Sequence, residues 1–517
     1  MTTPNQESGA IVSGERQLSK AELDQRARRA VQGFAELGIG ADDTIALFLR
    51  NDFAFFEVSF AASLLGAYAV PVNWHYTPDE AGYVLRDCGA KAVIAHADLL
   101  PELAGVIPDN CALFVVETPP EIIEAYGLDT NSTLVPYDCT DWEQWRDAQP
   151  VWQGEPAAHR GTMIYTSGTT GRPKGVKRQP QTLESLTKSL ALARVVSGLK
   201  PESPMRTVVT GPMYHTAPNS FSMNAARYGG YVVLQPRFDA EELLRIIEQN
   251  RITHVHMVPT MFVRLLKLPD EVKQRYDLSS LEFVVHAAAP CPPFVKQEMI
   301  AWWGLVINEY YGSTEIGATN FHNSDEALAK PGTVGRATPG AVVKVFDDDG
   351  VECAPGEVGT VYGRVLGSTD FTYLHRKAER VEIEHDGLIT CGDMGFIDED
   401  GYLFLSDRKK DMVISGGVNI YPAEIESVLL QMPGVRDCAV FGIPNEDFGE
   451  ALAAYIESDK GVSLTAAEVI TYARANMAGY KVPRTVEFSH ELPREDSGKI
   501  FKRKLREPYW AATGRSI

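Results

Sequence analysis

The sequence predicts an α/β protein: a large N-terminal domain of α/β layers plus a β-subdomain, followed by a small mobile α+β C-terminal domain. Three observations predict it. Between residues 44 and 308, short apolar runs alternate with stretches of helical period, the pattern of a largely parallel sheet covered by helices. From 340 to 365 the period shortens to two around the turn Asp347-Asp-Asp-Gly350, which reads as a β-subdomain. At Leu405-Ser-Asp-Arg-Lys-Lys-Asp411 a charged break interrupts the chain, and the α+β pattern beyond it runs for about 105 residues, an ordinary size for a small domain. The boundaries are therefore placed at 1–407, 408–411 and 412–517.

The elements follow in order. Residues 1–15 read as a loose tail leading into a short strand. Ser19 with Glu22 three positions on is a capping box, and Leu23, Ala27, Ala30, Val31, Phe34 and Leu37 keep helical spacing up to Gly38 and Gly40. A buried strand at 44–49 precedes a helix at 53–65 and a strand at 68–72; Thr77-Pro-Asp-Glu80 opens the next helix, and 92–95 is the next strand. Residues 118–155 are polar and turn-rich and read as a subdomain crossing. Beyond 162–165, an apolar run suited to a buried strand, come a helix at 183–196 and strands at 207–210, 230–234, 253–258, 281–285 and 305–308, with helices at 240–249 and 261–268. In the tail, helices at 422–430 and 466–476 accompany strands at 435–441, 453–456 and 485–488.

Composition excludes several classes. Hydrophobic residues make up 44% of the 517, which fits a globular protein. A net charge of −20 argues against nucleic acid, whose backbone needs a basic footprint. Seven scattered cysteines without a Cys-x-x-Cys pair read as reduced thiols of a cytoplasmic protein. No signal peptide is legible. The most apolar run, 53–72, carries Glu57 and is broken at Gly66 and Pro71, so it reads as a core helix and strand and not as a transmembrane segment.

The densest chemistry lies in Tyr165-Thr-Ser-Gly-Thr-Thr-Gly-Arg-Pro-Lys-Gly-Val176. Glycines let backbone N–H groups approach an anion, hydroxyls add donors and Lys174 adds charge, as a polyphosphate requires. The spacing is not that of a Walker A loop, since Gly168 and Gly171 are three apart and Gly175 follows Lys174. Read alone, such a cluster is also what a surface turn looks like.

The whole string resembles the signature loop of the adenylate-forming superfamily, which holds acyl-CoA synthetases, peptide-synthetase adenylation domains and luciferases. Later stretches resemble the family's other segments in order and spacing, so the resemblance covers about residues 16 to 506. It implies an ATP-dependent, AMP-forming carboxylic acid–CoA ligase using ATP, Mg²⁺ and CoA. Thr166, Ser167, Gly168, Thr169, Thr170, Gly171 and Lys174 would bind phosphate. In Glu309-Tyr-Tyr-Gly-Ser-Thr-Glu315, the resemblance places Glu309, Tyr310, Tyr311, Gly312 and Thr314 at the nucleotide. Tyr311 would stack on adenine and Glu315 would hold Mg²⁺. Ala288 and Ala289 would let adenine lie against backbone. Asp393, in Thr390-Cys-Gly-Asp393, would accept from both ribose hydroxyls, a carboxylate offering two acceptors for a vicinal diol; the family more often has Thr directly before Gly-Asp. Arg408 matches a ribose-binding Arg, and Lys410 the hinge. Lys499, in Ser497-Gly-Lys499, matches the lysine that bridges the acid's carboxylate and the α-phosphate, where charge accumulates. Gly416 and Gly417 match a loop lining the CoA tunnel. Taken singly, Glu315 is also an ordinary surface acid, Arg408 part of a solvated charge run, and His215 a structural histidine.

Catalytic roles thus fall to Lys499, His215, Glu315 and Thr166, and the acyl pocket to Tyr214, His215, Ala217, Phe221, His286, Ile316 and Gly317. Small residues there suggest a roomy pocket, for a medium- or long-chain fatty acid or a bulky cyclic or aryl acid. Two alternatives stay open: an adenylating enzyme that loads a carrier protein or another acceptor, and a catalytically silent nucleotide-binding protein. A homodimer is among the assemblies the resemblance allows, although the chain begins some tens of residues later than members usually do.

Overall fold

The computed structural model describes residues 9–166, 172–200, 202–408, 411–415, 418–445, 448–494 and 500–511. The first eight residues of the predicted tail lie outside these.

Two sheets form the large lobe's layers. One has five parallel strands in the order Tyr68–Pro71, Thr44–Phe48, Ala92–His96, Ala112–Val116, Thr140–Asp141. The other has nine. Its six central strands run parallel, from Ile307–Ser313 through Phe283–His286, His254–Met257, Arg206–Val209 and Tyr231–Leu234 to Ala10–Ser13. Antiparallel strands close both edges: Arg16–Ser19 on one side, Gly317–His322 and Arg336–Ala337 on the other. Strands buried on both faces explain the near-continuous apolar runs of the sequence.

Two helices start at the caps the sequence offers. Ser19 caps Lys20–Glu36 reciprocally with Glu22, and Thr77 does the same with Glu80 for Pro78–Cys88. Phe53–Leu65 is buried almost all round, and Gly66 closes it at φ 70°. Its Glu57 is 1% exposed and is balanced by three donors. Arg26 Nη1 donates at 3.0 Å, Trp142 Nε1 at 2.9 Å and Arg146 Nη1 at 2.7 Å. The polar crossing at 118–155 therefore does more than cross: it carries the helices Pro120–Tyr126 and Trp142–Asp147, and the second delivers two of those donors to the core. No helix of the described residues is long and apolar enough to span a membrane. The seven cysteines form no disulfide.

The β-subdomain is an antiparallel sheet of Ala341–Phe346, Gly359–Val365, Leu388–Ile397, Glu384–His385 and Leu403–Arg408. Its last strand pairs Arg408 with Asp393, and the next strand, Val413–Ser415, belongs to a different sheet with Val418–Ile420, Gly449–Ser458, Val435–Asn445 and Thr485–Ser489. That sheet and the helices Pro422–Leu429 and Ala466–Asn476 share a separate apolar core around Ile425, Leu429, Val440, Ile456 and Val469. A third small sheet was not legible in the sequence: Ile164–Thr166 and Lys174–Arg178 flank the glycine loop as antiparallel partners, and Phe371–Tyr373 adds to the second. Residues 174–176, read as part of the loop, thus belong to the strand Lys174–Arg178.

Candidate active site

Three segments distant in sequence meet at Glu315. The strand Ile307–Ser313 runs out of the nine-stranded sheet and turns back through Thr314, Glu315 and Ile316 into Gly317–His322. The turn is tight: a Cβ on Gly312 would lie 2.0 Å from the Gly317 carbonyl oxygen, so only glycine fits at 312. Ser313 Oγ donates to Glu315 Oε2 at 3.0 Å and accepts from the Glu315 N–H at 3.1 Å, which fixes the carboxylate over the turn. On the other oxygen, Tyr373 OH donates at 3.0 Å and Thr166 Oγ1 at 3.4 Å. Burial, and then the Glu315 charge, push the Tyr373 phenol well above its ordinary range, so it stays a donor.

Arg178, which the sequence presents as one of a basic run, holds the turn from behind. Its Nη2 donates to the carbonyls of Thr314 at 2.5 Å and Glu315 at 3.2 Å, and its Nη1 to that of Thr369 at 2.9 Å. Thr314 Oγ1 lies 2.6 Å from Thr216 Oγ1, which brings the first turn of the helix Thr216–Arg227 against the same hairpin. Just before that helix, the Tyr214 and His215 rings are 4.6 Å apart. Deeper in, Thr162 Oγ1 donates to Asn219 Oδ1 at 3.1 Å, tying the helix to the segment that leads into the glycine loop.

One turn away, Tyr311 OH donates to Asp393 Oδ2 at 2.7 Å, and Asp393 sits beside Arg408 in the antiparallel ladder. Ala288, after the strand Phe283–His286, holds φ 75°, an uncommon region for a residue with a Cβ. Lys174 forms an ion pair with Glu379 and lies 5.1 Å from the Tyr373 ring centroid. Cys391 has its Sγ 2.9 Å from Ser313 Oγ and 3.9 Å from Glu315 Oε2. Ser167, Gly168, Thr169, Thr170, Gly171, Lys410, Gly416, Gly417 and Lys499 lie outside the described residues.

Three sequence expectations need correction. His286 does not face the helix that carries Ala217 and Phe221. It is fully buried on the opposite face of the sheet, in one row with Met257, Glu309 and His322, and its ring meets Phe262 edge-on at 5.2 Å. Glu309 shares that face. Its carboxylate is engaged by Lys296 and by His322 Nε2, the latter at 2.9 Å, and does not face the nucleotide segment. Burial alone would raise the Glu309 carboxyl; Lys296, then His286 and His322, outweigh it and hold it far below the usual carboxylate range. Ile316 is packed among Val176, Phe371, Tyr373 and Ile389 beneath the hairpin. The period of two says that 284 and 286 share a face; which face meets a given helix is a tertiary fact.

His256 takes the position expected of His286. It alternates with Met257, in a row with Val209 and Val285, on the face covered by Thr216–Arg227. Burial lowers its imidazole to about 4, and lowers that of His159 to about 4 as well, with Arg227 adding to the second. Both would take up a proton near pH 6.5 in the unfolded chain. Between there and about pH 4 the unfolded state holds more protons, so stability, full above pH 6.5, falls as pH falls. From pH 7 to pH 5 each should cost about 2 kcal/mol. Urea midpoints at the two pH values test this: His256→Leu should remove its share of the pH dependence, and an unchanged dependence would refute the assignment.

The arrangement has known relatives. A family model described as AMP-binding enzyme matches residues 3–367, and one described as AMP-binding enzyme C-terminal domain matches 424–499. A long-chain-fatty-acid–CoA ligase of Mycobacterium tuberculosis is 31% identical over 502 residues, covering 96% of this chain and 93% of its own. A feruloyl-CoA synthase of Amycolatopsis is 32% identical over 511 residues, covering 97% and 96%. Among solved structures, ATP-bound MatB from Rhodopseudomonas palustris superposes with a TM-score of 0.82 at 27% identity, covering 98% of this chain and 97% of the other. With the hairpin carboxylate, the Tyr311–Asp393 pair and the two-lobe order in place, and with the family model spanning most of its length, the chain belongs to the AMP-binding enzyme family.

Proposed function

We propose that the chain joins a carboxylic acid to CoA in two steps at one site: acid and ATP give acyl-AMP and pyrophosphate, then the CoA thiol takes the acyl group and AMP leaves. The observation that carries this reading is the convergence of Thr166, Tyr373 and Ser313 on the Glu315 carboxylate, next to the Tyr311–Asp393 pair. Tyr311 offers adenine a flat ring face, and the Asp393 carboxylate that Tyr311 engages is the acceptor for the ribose hydroxyls.

Glu315, a hard oxygen donor beside the Thr166 hydroxyl, suits Mg²⁺, which takes one or two carboxylates and completes its shell with phosphate and water. Bound there, Mg²⁺ would neutralise charge on the phosphates. Thr166 and the loop after it hold the phosphates in line. The acid's carboxylate oxygen forms a bond to the α-phosphorus as the bond to pyrophosphate breaks, so the work is positioning and charge neutralisation. Lys499 supplies positive charge between the carboxylate and the α-phosphate. The small lobe, 412–517, turns about 408–411, with Lys410 as pivot, so that Lys499 leaves and Gly416 and Gly417 face the CoA thiol. Support for a pivot there comes from the flanking strands, Leu403–Arg408 and Val413–Ser415, which belong to two separate sheets. The acid is a medium- or long-chain fatty acid or a bulky aryl or cyclic acid, and the reaction is placed in the cytoplasm.

ATP–pyrophosphate exchange over acids of graded length and bulk tests the first step, and thioester formation with CoA or a holo-carrier protein identifies the acceptor. Lys499→Ala should lower exchange by about 10²–10³-fold, while thioester formation from supplied acyl-AMP falls far less. Exchange at the unmodified rate in that variant would reject the mechanism.

A further inference from the structure

The sheet face covered by the helix Thr216–Arg227 holds a polar atom that no described residue uses. His256 is 6% exposed, and its Nε2 is buried with no hydrogen-bond partner among the described residues. Its surroundings are apolar or aromatic: Val209 and Val285 lie beside it in the sheet, the Phe221 ring 5.7 Å away and the Tyr310 ring 6.2 Å away. The backbone at this position is settled, since the His256 carbonyl accepts from Thr210 Oγ1 at 3.0 Å. A buried ring nitrogen left unsatisfied destabilises the fold, and such groups are rare enough in native proteins to need a reason.

Its position supplies one. The helix Thr216–Arg227 starts against the Glu315 hairpin through the Thr216–Thr314 contact, and Phe221 lies five residues further along it. At 1.5 Å per residue that is about 8 Å from the hairpin. An acyl group that enters between this helix and the sheet, with its carboxylate at the hairpin, brings its far end to Phe221 and His256. We propose that His256 is a specificity residue that reads a hydroxyl on the acyl group, roughly one aryl ring or six to seven chain atoms from the reacting carboxylate. A neutral imidazole nitrogen either donates to or accepts from a hydroxyl, and a hydroxyl can answer in either sense. The burial that keeps this ring neutral is consistent with that role. A site with a polar group waiting for a partner discriminates strongly against the analogue that lacks it, because the polar group then stays buried and unmatched. This inference rests on the ligase reading above and narrows its substrate to oxygenated acids.

The test uses the full-length enzyme and matched pairs: 4-hydroxycinnamate with cinnamate, 4-hydroxybenzoate with benzoate, and 8-hydroxyoctanoate with octanoate. The readout is the ratio of kcat/KM for the hydroxylated acid to that of its plain partner, measured by pyrophosphate exchange. The unmodified enzyme should favour the hydroxylated member of at least one pair by tenfold or more. His256→Leu should lower that ratio by about 10–100-fold, and His256→Gln, which keeps a hydrogen-bonding group at similar reach, should restore part of it. A general loss of packing would lower both members of a pair together and leave the ratio where it was. Exchange with plain acids and no hydroxyl preference in any pair, or a ratio unmoved by His256→Leu, overturns this inference and leaves the ligase reading standing. Absence of exchange with every acid overturns both.

Discussion

Replacing Glu315 with Ala is expected to lower ATP–pyrophosphate exchange by about 10²–10³-fold. The hairpin, the Tyr373 strand and the strand before the glycine loop all address its carboxylate, through Ser313, Tyr373 and Thr166. Charge and geometry can be separated. Glu315→Gln keeps an acceptor for the Tyr373 hydroxyl but loses the charge, and should be nearly as slow as the Ala variant. Tyr373→Phe keeps the charge and loses one donor, and should cost about tenfold or less, the size of a single hydrogen bond. In Glu315→Gln the Mg²⁺ concentration for half-maximal rate should rise. Exchange by Glu315→Ala within a few-fold of the unmodified enzyme would remove Glu315 from the catalytic machinery.

Lys296→Met should destabilise the large lobe by about 3–5 kcal/mol, the usual result of stripping one partner from a buried ion pair. Lys296 is 4% exposed on the helix Pro293–Trp303 and reaches Glu309, itself 4% exposed, with His322 Nε2 at 3.0 Å from the ammonium. Without the ammonium, Glu309 keeps its charge beside two imidazoles only. A double variant, Lys296→Met with Glu309→Leu, should recover much of the loss, since apolar replacements of a whole buried pair are often neutral or stabilising. Urea midpoints read both. A loss below about 1 kcal/mol in the single variant, or a double variant worse than the single one, would show that the pair does not hold this face of the sheet. Glu309 lies two residues before Tyr311 on one strand, so the KM for ATP reports whether the cluster also positions Tyr311.

Parts of the site could be read from sequence because they are local. The Ser19 and Thr77 caps, the strand–helix alternation and the hairpin segment Tyr311 to Glu315 are patterns within a few residues. Glu57 was visible as a charge in an apolar helix, but its three donors come from two other helices, one of them in a stretch that reads as polar crossing. Arg178 was hidden for a similar reason. In sequence it ends a run of basic residues, and only the meeting of its strand with the Glu315 hairpin turns it toward two backbone carbonyls. Tyr373 reaches Glu315 from the small sheet that flanks the glycine loop and Cys391 from the β-subdomain, each more than fifty residues away in the chain.

By itself, then, the sequence determined the layered α/β class, the order of the lobes and the hairpin segment Tyr311 to Glu315, because side-chain period and turn chemistry are set by neighbours along the chain. The tertiary structure alone decided which sheet face each segment presents. His286 and His256 have the same chemistry and both lie on central parallel strands, yet one is buried against Phe262 and Glu309 while the other faces Phe221 on the helix Thr216–Arg227. A period of two separates the faces of a strand, but it does not label them. The label comes from which helix packs on which side, and that is settled by burial over the whole sheet.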